Sequence, residues 1–453
     1  MMKSRQRRLA GRFAAALLLA LGCVSLANAQ GSRILVRNAE LVLTMDPQLG
    51  QGELGSLEKA DVLLEDGRIV QVGKKLPASG ATVIDASGKI VMPGFVDTHT
   101  HLWQSMIRDC GTDQTVVGWL SACMRDVGPR MTPEQTYAAV RLSIFDAITT
   151  GVTTVTDWSH AFNAGFANAD LRALTDSGLR FVFAYCFDPA QEGNIRRVKQ
   201  EVIDHNPLAH LQLCGIARSG NEAVLAGMVR LADELGVDTN VHLHENIADR
   251  QNGQIASLEQ AGAIKSNLMV NHAIHLTDEE ITLLASRGVR VAHCPLSNMR
   301  LASGVIRMPE LLQAGIKIGL GLDGGTNDTT DMFNLMRAAV GLQRASRLSA
   351  TTPPTVAQVL RMATLGGAEV LGLEHEIGSL TPGKRADLIV IDPEAANFAP
   401  KVDWPSQIVF NGQPRNVETV IVGGRLLKAR GKVLGISEAV WVEQAERLRK
   451  PLD

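Results

Sequence analysis

From Arg33 to about Met92 the apolar positions fall in short runs: Ile34–Val36, Leu41–Leu43, Val62–Leu64, Ile69–Val72 and Thr82–Ile84. Turn residues separate them, including Glu65-Asp66-Gly67 and Ala86-Ser87-Gly88. Such β-rich runs bounded by Asp-Gly and Ser-Gly read as strands and hairpins, and no helical period intervenes. The same texture returns late, at Ala386–Ile391 and at Val417–Val422, the latter closed by Gly423-Gly424. Two β-rich ends flanking one middle predict a small composite β-sandwich domain built from both termini, residues 30–92 and 373–435.

Between these ends the pattern changes. Apolar runs at Gly94–Leu102, Val152–Trp158, Arg180–Phe187, Leu211–Ala217, Asp238–His244, Leu268–His275, Arg290–Cys294 and Ile316–Asp323 alternate with helical stretches such as Pro133–Thr149, Glu222–Leu235 and Asp278–Arg287. Strand–helix alternation is the signature of an α/β fold. Eight strands with polar residues at their C-terminal ends predict a closed (β/α)8 TIM-like barrel over residues 93–372, in preference to an open doubly wound sheet. Residues 436–453 form the remaining C-terminal helix or tail.

The first 29 residues follow another logic. Arg5, Arg7, Arg8 and Arg12 make a cationic start, Phe13–Leu21 is an apolar run too short to span a bilayer comfortably, and Ala27-Asn28-Ala29 offers a cleavage site. This three-part anatomy is that of a signal peptide. It predicts export to the periplasm or beyond after cleavage near Ala29, with no membrane span in the mature chain. Arg7-Arg8 permits a twin-arginine variant and Cys23 a lipid-attached one. The residues flanking Arg7-Arg8 match that pattern poorly, and Ala20 stands where a lipid signal usually has leucine.

Composition narrows the partners. The 45 basic and 47 acidic residues nearly cancel, so the electrostatic footprint of a nucleic-acid binder is missing and a small-molecule substrate fits better. Five cysteines remain after cleavage, at 110, 123, 186, 214 and 294. None forms a Cys-x-x-Cys pair, which argues against a structural zinc site. Cys110 and Cys123 could be bridged in an oxidising compartment; spacing alone does not decide it.

The candidate chemistry lies at the strand ends. His99 and His101 stand i, i+2 on the first barrel strand, so both imidazoles share a face, and imidazole pairs suit Zn²⁺ or Fe²⁺. Six of the 11 histidines (99, 101, 242, 244, 272 and 293) fall in four of the expected strands, and Asp323 closes the eighth. Each alone has a plainer reading: a buried histidine is usually a hydrogen-bonded core residue, and an aspartate before glycine a turn residue. Burying them all without purpose would cost roughly 1–3 kcal/mol for each unsatisfied group. The joint reading is a site at the barrel mouth. Trp103 and Gln104, just beyond the first pair, are placed to stack on and hydrogen-bond a planar heterocycle; packing under the loop is the plainer reading of Trp103.

Several segments carry a specific resemblance. Pro93–His101 (PGFVDTHTH), Trp119-Leu120, Gly151–Asp157 (GVTTVTD), His242-Leu243-His244-Glu245, His293–Asn298 (HCPLSN), Leu320–Gly324 (LGLDG) and Leu380–Leu388 (LTPGKRADL) together resemble the amidohydrolase superfamily. Within it they resemble the branch of cytosine deaminase-like enzymes and triazine hydrolases (chlorohydrolases). The resemblance implies one divalent metal ion, Zn²⁺ foremost with Fe²⁺ or Mn²⁺ tolerated, held by His99, His101, His242 and Asp323. It implies Glu245 as proton carrier, His272 as the group that polarises the attacking water or the oxyanion, and Asp323 as base. It also implies assembly as a homo-oligomer, a dimer or larger.

No lysine ends the fourth strand, where binuclear relatives carry one, which supports a single metal. The segment there is Cys214–Ser219, and Arg218 is expected either to contact substrate or to serve a structural ion pair. His244 shares a strand face with His242 and is expected either behind the metal ligands or facing substrate, as is His293. His160 and Asp157 are expected to line the mouth of the second strand without a chemical role. The implied activity is hydrolysis of a C–N bond, foremost deamination of an aminated N-heterocycle. Hydrolysis of an amide, urea, carbamate or substituted triazine is the alternative, and a catalytically inactive scaffold is a third reading, which would require lost ligands.

Overall fold

The computed structural model describes residues 33–324, 329–435 and 437–449; the expected signal peptide, with Cys23, lies outside the described residues. Five strands precede the barrel: β1 (Arg33–Leu43), β2 (Ser56–Glu65), β3 (Arg68–Gly73), β4 (Thr82–Asp85) and β5 (Ile90–Pro93). The barrel comprises β6 (Phe95–His101), β7 (Val152–Ser159), β8 (Arg180–Cys186), β9 (Ala209–Gly215), β10 (Asp238–Leu243), β11 (Leu268–His272), β12 (Arg290–His293), β13 (Ile318–Leu320) and β14 (Asp323–Gly324). After it come β15 (Leu388–Ile391), β16 (Val417–Val422), β17 (Arg425–Ala429) and β18 (Lys432–Val433).

All eight strands expected from the apolar runs are present, the eighth as two pieces. β13 pairs with β12 and β14 pairs with β6, every pairing in this sheet being parallel. Only Gly321 and Leu322 separate the two pieces, so the sheet's two edges are one chain segment and the barrel closes. Side chains of β6 sew the seam. Thr98 Oγ1 donates to Leu320 O at 2.9 Å, Leu322 N donates to Asp97 Oδ1 at 2.9 Å, and Thr100 Oγ1 donates to Asp323 O at 2.7 Å. Gly321 is required at the seam, because a Cβ there would meet His99 Cβ at 2.9 Å and Cys294 Sγ at 3.0 Å.

The helices are started and stopped by local chemistry. Pro133–Thr150 opens with a capping box between Thr132 and Gln135 and ends at left-handed Gly151, from which β7 departs at once. The foot of the barrel is stoppered by Ala368, Val370, Leu371, Leu373 and Ile377, packed on Val96, Val182, Met269 and Ala292. That leaves the C-terminal end as the open one.

The chain ends form one largely antiparallel sheet in the order β18-β17-β16-β15-β5-β1-β2-β3, with β4 beside β1. A register shift between Val36 and Ala39 splits β1, whose first half pairs with β4 and second half with β5. Its apolar face gathers residues from both termini, including Val36, Val62, Val91, Leu388, Val390 and Ile421. This is the composite architecture that the two β-rich ends predict.

A buried ion pair ties sheet to barrel. Arg180 on β8 donates from Nε to Asp387 Oδ2 at 2.7 Å and from Nη2 to Oδ1 at 3.3 Å, and Oδ1 also accepts from Gly423 N at 2.7 Å. Arg180 is fully buried, so each charge depends on the other. Arg180→Ala should therefore destabilise the fold by about 3–5 kcal/mol by stranding Asp387. Replacing both partners by apolar residues (Arg180→Met with Asp387→Leu) should recover much of that loss in chemical denaturation.

Candidate metal centre and catalytic pocket

β6 delivers His99 and His101 to the open end, and β10 delivers His242 opposite them. Ring centroids of His99 lie 4.8 Å from His101 and 4.9 Å from His242, and one nitrogen from each of the three rings falls within 4.8 Å of the others. Asp323 Oδ1 sits 3.6 Å from His99 Nε2 and 3.4 Å from His101 Nε2. The seam through Thr98, Asp97 and Thr100 is what holds this carboxylate beside the pair.

The donor set fits a divalent cation. His99 is wholly buried, yet neither ring nitrogen has a hydrogen-bond partner, a costly state unless the lone pairs serve a ligand. His101 Nδ1 lies 2.8 Å from Trp158 O; a carbonyl accepts, so Nδ1 carries the proton and Nε2 offers its lone pair on the Asp323 side. Burial lowers the basicity of all three imidazoles, His101 to about 4, so they are uncharged at neutral pH. Burial alone would raise the Asp323 carboxyl, but the imidazoles of His99, His272 and His101 hold it well below the usual range. Three neutral nitrogens and one carboxylate are a zinc-like set.

The acid–base groups come from strand ends where the backbone turns left-handed. His244, His272, Ala273 and Asp323 have φ of +45°, +70°, +52° and +61°. Such strain clusters at functional sites, where the surroundings over-determine it. The turn after β10 places Glu245 Oε2 3.7 Å from His272 Nε2, and Glu245, His272 and Asp323 bring one polar atom each within 4.8 Å. Burial, then the Asp323 and Asp249 charges, pushes the Glu245 carboxyl well up, as a proton-holding acid requires. Asn298 Nδ2 donates to His272 Nδ1 at 2.9 Å, which leaves the His272 proton on Nε2.

These groups face a cavity of about 650 Å³. Trp119, Leu120, Met124 and Leu301 form apolar wall, while Arg125, Arg218, Asn246 and Asp249 supply polar rim. Cys110 and Cys123 are disulfide-bonded. Since Val116, Trp119 and Leu120 lie inside the bridged loop, the bond holds one wall of the cavity to the turn that follows His101.

The structure brings His101, His242, Glu245, His272, Asp323 and Arg218 together around this space, with His99 wholly buried against His101 and His242, and corrects four expectations about substrate contact. Trp103 is fully buried behind the wall, against Phe162 and Phe166, with its indole N–H spent on His160. Gln104 is buried next to Gly324, away from the cavity. β10 ends at Leu243, and the left-handed turn at His244 swings that ring away from the His242 face, to 3.5 Å from Glu280. His293 is buried beside His272 and does not reach the cavity. His160, expected at the mouth of the second strand without a chemical role, lines it. Asn298 stands in the HCPLSN segment, a signal that could have flagged it; Met124 and Leu301 of the apolar wall left no such mark.

Residues 90–427 match the model of the Amidohydrolase family. A 5'-deoxyadenosine deaminase of Methanosarcina barkeri is 32% identical over 447 residues, covering 92% of this chain and 98% of its own. A 5-methylthioadenosine/S-adenosylhomocysteine deaminase of Moorella thermoacetica is 31% identical over 435 residues, covering 92% and 99%. Among solved structures, a zinc-bound adenosine deaminase from Xanthomonas campestris superposes with a TM-score of 0.84 at 28% identity, covering 93% of this chain and 98% of that one. Zinc-bound atrazine chlorohydrolase from Arthrobacter aurescens shares the fold, with a TM-score of 0.83 at 24% identity over 92% and 100%.

The donor set of this centre suits a divalent metal. His242→Ala should weaken zinc binding by more than the roughly 10–100-fold that losing a ligand's hydrogen-bond partner costs. Metal content after dialysis against a zinc buffer measures it; wild-type content in this variant would remove His242 from the ligand set.

Proposed function

We propose that this chain, which belongs to the amidohydrolase family and hydrolyses C–N bonds other than peptide bonds, deaminates an aminated N-heterocycle of the adenine nucleoside class. The observation that carries this reading is the convergence of Glu245, His272 and Asp323 beside three imidazoles, in a cavity of nucleoside size. The names of the relatives at 30% identity and above add the substrate class. A catalytically inactive scaffold would require missing groups, and the sequence retains His99, His101, His242 and Asp323.

One zinc ion would be held by His99, His101, His242 and Asp323. It would supply Lewis acidity, lowering the pKa of a coordinated water from about 16 to about 7. Asp323, kept ionised, accepts the proton of the attacking water. Glu245 gives its proton to the ring nitrogen next to the reacting carbon. The C–N bond to the exocyclic amine then breaks, with Glu245 relaying the Asp323 proton to the departing nitrogen; Asp323 takes the proton of the added hydroxyl as the carbonyl forms and returns it to Glu245. Water and amine become ring carbonyl and ammonia. Throughout, His272 Nε2–H donates to the oxygen being added, a preorganised donor of the oxyanion kind.

Glu245→Gln should retain zinc and lose turnover by about 10²–10⁴; near-normal turnover would take Glu245 out of the mechanism. A panel of adenosine, 5'-deoxyadenosine, 5'-methylthioadenosine, S-adenosylhomocysteine, substituted triazines and simple amides decides the class. Ammonia from the adenine nucleosides is expected, and release of only larger amines from the others would favour the amide or triazine reading.

The location proposed is periplasmic or extracellular. The tripartite N-terminal segment supports it, and so does the Cys110–Cys123 bridge, since disulfides persist in oxidising compartments. N-terminal analysis of protein from the native host should find the chain starting at Gln30 outside the cytoplasm; an intact Met1 in the cytosolic fraction would refute export.

A further inference from the structure

His160 follows β7 with its ring on the cavity wall. Trp103 Nε1 lies 2.9 Å from its Nδ1. An indole N–H can only donate, so Nδ1 is the acceptor and bears no proton. An imidazole with a bare Nδ1 carries its proton on Nε2, at the ring edge facing away from buried Trp103. The ring plane is held as firmly as the tautomer. Phe162 stacks on it at 5.3 Å and 12°, and Trp158 meets it edge-on at 5.0 Å. The result is a preorganised hydrogen-bond donor beside the candidate metal centre that the reaction as derived above does not use.

Its position around the mouth says which part of a ligand it meets. β7 adjoins β6, whereas β10, which carries Glu245, lies beyond β8 and β9. His160 and Glu245 therefore approach a ring in the cavity from different sides. In an adenine the reacting C6 is flanked by N1 on one side and, through C5, by N7 on the other. With N1 at Glu245, the acceptor near C6 left for the opposite wall is N7, N3 lying across the six-membered ring from C6.

We propose that His160 is a substrate-positioning residue whose Nε2–H donates a hydrogen bond to N7 of the bound purine, its tautomer set by Trp103. This assignment rests on the deaminase reading. It gives Trp103 a part in recognition at one remove, although the side chain never touches the cavity.

Two measurements on the full-length, zinc-loaded protein test it. The first needs no substrate: ¹⁵N–¹H correlation of the imidazoles, with the His160 signals identified by their loss in His160→Phe. The expected pattern is the Nε2–H tautomer in the wild type and a tautomer mixture in Trp103→Phe. An Nδ1–H or doubly protonated ring in the wild type would overturn the proposal whatever the substrate. The second compares adenosine with 7-deazaadenosine, which has a C–H in place of N7. The wild type should favour adenosine about tenfold in kcat/KM, mainly through KM, as loss of one buried hydrogen bond predicts. His160→Phe should lose that preference, and His160→Gln, which keeps a donor, should recover part of it. An equal preference in the wild type and His160→Phe overturns the proposal while leaving deamination intact. Failure of the wild type to release ammonia from any adenine nucleoside overturns the deaminase reading and the N7 assignment with it. Zinc content equal to the wild type confirms that each variant is folded around its metal centre.

Discussion

Closure of the barrel at a broken strand is the constraint on which the site depends. The eighth strand cannot run straight past β6, because the chain turns left-handed at Asp323. Three side-chain hydrogen bonds from β6, through Thr98, Asp97 and Thr100, hold the two pieces in place instead. That seam carries Asp323 across 222 residues of sequence and more to the His99/His101 pair. Without it the carboxylate would be one more turn residue before glycine. Asp97 is wholly buried and its carboxyl is pushed well up by burial, a cost that the backbone N–H groups of Leu322 and His99 offset in part.

The same mouth gathers strained backbone, neutral imidazoles and a proton-holding acid within a few ångströms. The last two have one cause. Burial makes charge expensive at the base of the cavity, so the imidazoles stay neutral and Glu245 keeps its proton. A neutral imidazole is both the form that binds a metal ion and the form whose single proton can be steered by a neighbour. Trp158 O steers it in His101, Asn298 in His272 and Trp103 in His160. In each case the partner on one ring nitrogen decides whether the other accepts or donates. The chemistry of the site is thus written partly in residues that never meet the substrate.

The small sheet and the disulfide act on this arrangement from opposite ends. At the foot, Arg180–Asp387 and the packing of Ala368 to Ile377 close the barrel away from the site. At the mouth, the Cys110–Cys123 bond limits how far the wall carrying Trp119 can open. Neither touches the reacting groups. Both reduce the conformations available to the loops that do, which is how a rigid scaffold supports function on loops.

Local alternation of apolar and polar residues determined the eight strands, the two β-rich ends and the i, i+2 histidine pair, because those features depend only on strand period and turn chemistry. Asp323, His242, Glu245 and His272 were legible through their place at strand ends and through the motifs around them. The tertiary structure alone decided which side chains reach the cavity. His244 was misread because period two stops where β10 stops, and one left-handed residue redirects the ring. Trp103 and Gln104 were misread because adjacency along the chain says nothing of which side of a turn is wall and which is core. His160 is legible as a residue of the mouth but not as a hydrogen-bond donor: its proton is placed by an indole 57 residues away, and no local pattern records a partner brought near only by folding.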